Sequence, residues 1–202
     1  MFPILLAIIL AFLSGSLPFS YLIGKVFFDV NLKEIGSGNP GATNLFRNVS
    51  RKAGIVALGL DALKGALPVL FLPSLLFPEG AAGLSVVDGA TLVGLAAILG
   101  HVFTPFLKFR GGKGVATSLG AFLALAPVPV AIIAVVCLPI MIATRYVALG
   151  SVLGAIMFPV LVFILEEPSW LMRVIVVLIG VLIVVRHSSN IRRLLKGEES
   201  KI

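Results

Sequence analysis

Residues Val147 to Leu165 read VALGSVLGAIMFPVLVFIL, nineteen positions without a charge, entered from Arg145-Tyr146 and left into Glu166-Glu167. A helix of that length rises about 28 Å at 1.5 Å per residue, close to the ~30 Å hydrocarbon core of a bilayer. The basic residue at one end and the acidic pair at the other give it a direction, because Lys and Arg gather on the cytoplasmic side. The stretch predicts a membrane span, and the same pattern recurs on both sides of it.

Upstream and downstream lie further apolar runs, Pro3 to Ile23, Gly54 to Leu72, Gly89 to Leu107, Val115 to Ala126, Val128 to Ala143 and Trp170 to Val185. The chain of 202 residues is 59% hydrophobic and 12% charged, where a soluble domain is about a quarter charged. The expected fold class is therefore an all-α polytopic membrane protein with about seven transmembrane helices, a single membrane-embedded domain over 1–202. The fourth and fifth runs, separated near Pro127 and Pro129, look too short to cross, so they form two short tilted spans or one re-entrant hairpin. The first run lacks a basic leader and a small-residue cleavage site, which marks it as a retained span.

Charge sets the orientation. Lys25, Lys33, Arg47, Arg51, Lys52, Lys108, Arg110, Lys113, Arg145, Arg186, Arg192, Arg193, Lys196 and Lys201 all fall on one side of this threading, and Arg173 alone falls on the other with Glu79, Asp88, Glu166 and Glu167. The N-terminus is expected outside and the C-terminus in the cytoplasm. The net charge of +7 is then a matter of anionic headgroups and topology, and nucleic acid is not an expected partner. Cys137 is the only cysteine, so no disulfide framework exists. No His/Cys/Asp/Glu cluster has metal-ligand spacing, so neither a metal nor a cofactor is expected.

Three polar segments lie on the basic side. Gly36 to Arg47 reads GSGNPGATNLFR and formally matches a dinucleotide fingerprint, but it joins two membrane helices and contains Pro40, so that reading fails. What remains is a glycine-rich turn able to aim backbone N–H groups at an anion, with Ser37, Asn39, Thr43, Asn44 and Arg47 as added donors. Lys108 to Gly114 reads KFRGGKG and runs into Val115-Ala116-Thr117-Ser118. Such a turn feeding a helix start offers N–H groups and the positive end of the dipole to a second anion, with Lys113 beside it. A snorkelling basic cluster would account for Lys108 and Arg110 but not for Gly111, Gly112 and Gly114.

The third segment runs from Arg186 to Glu199, RHSSNIRRLLKGEE, and its spacing puts His187 and Asn190 on one helical face, with Arg193 or Arg192 near the same stripe. Alone it reads equally as a topology anchor. Ser151 lies within two turns of the basic boundary, and Gly150 with Gly154 forms a small-xxx-small packing pair. Asp61 and Lys64, three apart within an apolar run, are expected to neutralise one another. His101 and Thr104-Pro105 are expected to be structural. Asn48-Val49-Ser50 matches a glycosylation sequon on a cytoplasmic loop, where it has no meaning.

The three segments in this order, GSGNPGATNLFR at Gly36 to Arg47, HVFTPFLKFRGGKG at His101 to Gly114 and H-x-x-N-x-x-R-L-x-x-G-x-E at His187 to Glu199, resemble the bacterial acyl-phosphate:glycerol-3-phosphate acyltransferases, the PlsY family. The resemblance implies transfer of a fatty acyl group from acyl phosphate to the 1-hydroxyl of glycerol 3-phosphate, giving lysophosphatidic acid and inorganic phosphate at the bacterial cytoplasmic (inner) membrane. It carries glycerol 3-phosphate binding to Ser37, Arg47, Lys113, Ser151, His187 and Asn190, with His187, Asn190 and Ser37 at the reacting centre, and acyl phosphate to Gly111, Gly112 and Gly114. Acyl phosphate, glycerol 3-phosphate and membrane lipids are the expected partners of a monomer. Because an acyl phosphate is already an activated mixed anhydride, direct transfer without an acyl-enzyme is expected. His187 is read as a phosphate ligand that donates in either charge state, rather than as the general base. The competing reading is a carrier or channel for phosphorylated anions; no inverted pair of broken helices favours it.

Overall fold

The computed structural model describes residues 1–202. It is all-helical apart from one isolated bridge between Ala81 and Leu84, and its helices gather into two compact units, 1–125 and 126–202.

The first unit holds α1 (Phe2–Ser16), α2 (Phe19–Phe28), the short α3 (Ala42–Asn48), α4 (Arg51–Leu76), α5 (Val86–Val102) and α6 (Val115–Leu125). The first apolar run breaks at Leu17, which precedes Pro18 and turns extended with ψ 115°, as a residue before proline is pushed to do. Helix α1 buries Ile4, Ala7, Ala11 and Gly15 and turns Leu5, Ile9 and Leu13 outward. Small residues within and large apolar ones on the surface are what helices packed in lipid require. The crossing of α1 with α5 depends on this: a Cβ on Gly15 would overlap the Ala97 carbonyl, and one on Gly100 the Phe12 carbonyl. Ser50 caps α4 by accepting from the Ala53 amide at 3.3 Å, which is its structural use within the sequon-like triplet. Helix α5 stops at Val102, ahead of Pro105, and a 3-10 turn over Pro105–Leu107 follows.

The second unit holds α7 (Pro127–Thr144), α8 (Val147–Leu165), α9 (Trp170–Arg186) and α10 (Ser188–Leu195). Gly150 lies against Met141 and Gly154 against Ile133, so this pair packs α8 on α7 as expected. Helix α10 leaves α9 at a bend of 56°.

Five segments are long and apolar enough to cross a membrane, Phe2–Phe28, Arg51–Leu76, Val86–Leu107, Pro127–Thr144 and Val147–Leu165, and the bent α9–α10 pair makes a sixth. The fifth apolar run, expected to fall short, is a helix of 18 residues and does not. Helix α9, with 17 residues, qualifies only together with α10, and α6 is shorter still: its 11 residues rise roughly 16 Å.

Candidate active site

The first polar loop is organised by Asn44, which is buried. Its amide donates to the carbonyls of Leu32, Ile35 and Asn39 at 2.9, 3.1 and 3.0 Å, and its Oδ1 accepts from the Ser37 amide at 3.3 Å and from Asn48 at 2.8 Å. This corrects the expectation that Asn44 offers donors to a ligand, because the loop's own backbone occupies them. Gly36 and Gly38 sit at φ 55° and 67°, the left-handed region where glycine is tolerated. Ser37 stands exposed at the turn, Asn39, Thr43 and Arg47 are half-buried, and Arg47 lies in the last turn of α3. A small apolar cluster of Leu32, Leu45 and Ala57 holds the loop and α3 onto α4.

The second loop is fastened to the end of α5. The Gly111 amide donates to the Val102 carbonyl at 3.0 Å and the Gly112 amide to the His101 carbonyl at 3.2 Å, so the loop doubles back on the helix it left. The fit excludes side chains: a Cβ on Gly111 would overlap the His101 carbonyl and one on Gly112 the His101 ring, while Gly114 lies at φ 90°. The three glycines are thus accounted for, and the expectation that the Gly111 and Gly112 amides face an anion is corrected, since both donate to α5. The first bond inside α6 runs from the Ser118 amide to the Gly114 carbonyl at 2.8 Å. The amides of Val115, Ala116 and Thr117 accordingly have no acceptor within the helix and form its positive end; Lys113, two residues before Val115, is half-buried where Lys108 and Arg110 are exposed. The hydroxyls of Thr117 and Ser118 in this first turn are buried without a hydrogen-bond partner. Lys33 Nζ donates to the Leu107 carbonyl at 3.1 Å, which ties the two loops together within the first unit.

Beneath them lies a small pocket lined by Ser16, Pro18, Pro40, Asp61, Lys64, His101, Thr104, Leu107, Gly111 and Gly112. The expected ion pair is there: Lys64 Nζ is 2.8 Å from Asp61 Oδ1, each side chain 3% exposed. Thr104 Oγ1 donates to the Ser16 carbonyl at 2.6 Å, the structural role expected of it.

In the second unit His187 ends α9 and opens α10. It is 3% exposed, with Nδ1 2.8 Å from the Ile183 carbonyl. A carbonyl only accepts, so Nδ1 carries the proton, and a neutral ring presents Nε2 as an acceptor. This corrects the reading that His187 donates in either charge state: through Nε2 it donates only as the imidazolium. Asn190 Nδ2 donates to Glu199 Oε1 at 2.7 Å and Arg193 Nε to Glu199 Oε2 at 2.8 Å. Glu199, buried and bridging Asn190 and Arg193, is the residue that sequence reasoning left without a role. Its signal was an acid at a fixed place in a basic tail. Ser151 is buried, and its hydroxyl donates to the Val147 carbonyl one turn back at 2.9 Å, so it offers a ligand an acceptor until that torsion turns.

Several polar helix ends inside lipid-facing helices, with glycine turns and half-buried cations, describe a membrane enzyme or carrier that handles anions. A sequence profile of the glycerol-3-phosphate acyltransferase family matches residues 5–197. The chain is 44% identical to a glycerol-3-phosphate acyltransferase of Trichlorobacter lovleyi, over 95% of this chain and 93% of that one. It is 42% identical to another of Staphylococcus carnosus, over 98% of each. The crystal structure of PlsY (YgiH), an integral membrane glycerol 3-phosphate acyltransferase, in its glycerol 3-phosphate form, superposes with a TM-score of 0.88 at 37% identity, covering 98% of this chain and 95% of that one. Its lysophosphatidic acid form superposes with a TM-score of 0.83. The chain belongs to the glycerol-3-phosphate acyltransferase family and is an integral membrane acyltransferase of the PlsY type.

Proposed function

We propose that the acyl donor is acyl phosphate and that the product is lysophosphatidic acid. The 1-hydroxyl oxygen of glycerol 3-phosphate attacks the acyl carbon, the new ester C–O bond forms, the C–O bond to phosphate breaks, and inorganic phosphate leaves with the electron pair, the hydroxyl proton ending in the net reaction on that phosphate. The observation that carries this reading is the pair of glycine-built, cation-flanked loops linked through Lys33 and Leu107, since donor and acceptor each bring a phosphate to one reaction. In this reading the amides at the start of α6 receive the donor's phosphate, while Gly111, Gly112 and Gly114 shape the turn. Ser37, Arg47, Lys113, Ser151, His187 and Asn190 are assigned to glycerol 3-phosphate. Asn39 and Thr43, both half-buried, are assigned as further donors. The basic residues of both loops, Lys33, Arg47, Lys108, Arg110 and Lys113, support a site on the cytoplasmic face.

The test is a purified preparation given glycerol 3-phosphate and either acyl phosphate or acyl-CoA, with excess chelator present. Lysophosphatidic acid from acyl phosphate alone is the expected outcome. Turnover of acyl-CoA with none of acyl phosphate would overturn the donor assignment.

A further inference from the structure

We infer that His101 is a positioning residue, held by the buried Asp61–Lys64 pair, that sets the shape of the Gly111–Gly114 turn for a phosphate; the inference rests on the function proposed above. Ionised groups are costly in a lipid-embedded helix unless paired and hydrogen-bonded. Here both are. Lys64 Nζ reaches Asp61 Oδ1 at 2.8 Å and the Leu17 carbonyl at 2.6 Å, while Asp61 Oδ2 accepts from Ser20 Oγ at 3.1 Å. The pair thereby bridges α4 to the break between α1 and α2.

The Phe19 ring lies under Lys64 Nζ, 5.7 Å from it, and His101 faces Asp61. His101 Nδ1 lies 3.8 Å from Asp61 Oδ1, too long for a hydrogen bond but close enough for the carboxylate to orient the imidazole dipole. The opposite edge of the ring, Nε2, is the surface against which Gly112 is pressed. The same residue's carbonyl receives the Gly112 amide. His101 thus touches the turn twice, through backbone and ring, and the charge that fixes the ring sits behind it. A histidine that only filled space at this helix end needs neither the carboxylate nor the glycine. A ring that sets where the turn runs uses both, because a shift of about 1 Å in a positioning group is enough to lose on the order of a hundredfold in rate.

The experiment measures KM for each substrate separately, together with thermal unfolding, in wild type, His101→Ala and the double variant Asp61→Asn/Lys64→Met, which strands neither charge. His101→Ala is expected to raise KM for acyl phosphate about 10- to 100-fold, with KM for glycerol 3-phosphate and the unfolding temperature little changed. The double variant is expected to show the same selective rise, and the triple variant no more than either. Should His101→Ala not fold, His101→Gln and the double variant carry the test. Folded variants with both KM values unchanged, or with losses that follow stability alone, overturn the inference. A rise confined to glycerol 3-phosphate supports the positioning role but reassigns the turn's substrate. A wild type inactive on acyl phosphate overturns the donor reading itself, and the inference with it.

Discussion

Because Nδ1 of His187 donates to the Ile183 carbonyl at 2.8 Å, any further partner meets Nε2, and the two roles open to that nitrogen require opposite protonation states. A ligand for a phosphate oxygen needs Nε2–H, hence the imidazolium, so its contribution is present at low pH and lost as pH rises. A general base needs the bare nitrogen, so its contribution grows with pH. His187→Gln donates at any pH, and substrate ionisation is common to both proteins. The ratio of wild-type to variant kcat/KM from about pH 5 to 8, the range in which imidazoles titrate, is expected to fall with pH; a rising ratio makes His187 the base. Arg47 and Lys113 are tested more simply. Replacing either by Ala is expected to cost about 2 to 5 kcal/mol in kcat/KM, the range for stripping one partner from a desolvated charge pair. The exposed Lys108→Ala should stay within about 0.5 kcal/mol, and equal effects at all three would reduce the cations to headgroup contacts. The kinds of residue at the site were legible in the sequence, but the direction of their donors was not. Asn44 and Gly111 advertise N–H groups, and only the fold shows that Leu32 and Val102 receive them. Sequence spacing likewise grouped His187 with Asn190 but gave Glu199 no task, because that acid returns to them through the turn at Gly197, φ 71°.

At the scale of elements, each of the seven apolar runs became helix, since hydropathy reports transfer free energy and every backbone group in lipid must bond within its own segment. Where a run is interrupted was harder to read. Pro18 divides α1 from α2 inside one continuous apolar stretch, whereas Pro68 and Pro73 remain within α4, so proline alone does not separate a break from a tolerated residue. Glycine is equally ambiguous in sequence, and the structure sorts it. A Cβ at Gly100 would overlap the Phe12 carbonyl of the crossing helix, a backbone atom that cannot move aside, while nothing lies within 4 Å of one at Gly59. Gly100→Ala is therefore expected to destabilise by about 1 to 3 kcal/mol, the usual effect of overpacking. Gly59→Ala should stabilise α4 by roughly 0.5 to 1 kcal/mol, by restricting the unfolded chain. Thermal unfolding in detergent measures both, and equal shifts at the two positions would mean that α1 and α5 do not approach as closely as they do here.

For the whole molecule, composition decided the class, because a chain with 59% hydrophobic residues has too little polar surface for a soluble domain, while the division into 1–125 and 126–202 has no comparable compositional signal. Orientation rests on charge alone: fourteen of the sixteen Lys and Arg residues fall on one side of the threading, leaving Arg173 opposite and Lys64 within a span. The positive-inside bias acts on short loops during insertion, and every loop here is short. A single-cysteine series tests it, starting from a variant in which the buried Cys137 is replaced. Asn48, Glu198 and Glu79 are exposed, and Glu198 is the better reporter in the tail because Gly197 holds φ 71°, which a cysteine would strain. Cysteines at Asn48 and Glu198 should react with a membrane-impermeant thiol reagent only after the cytoplasmic side is opened, and one at Glu79 in intact spheroplasts. In the expected threading α6 and α7 together return the chain to one side, which separates the first two sites from the third by an odd number of crossings, so an inverted protein would reverse all three together. A protein in which α6 fails to return the chain would instead move Glu198 alone to the Glu79 pattern, and that result would put His187 and Asn190 across the bilayer from Arg47 and Lys113, incompatible with one reaction using them all.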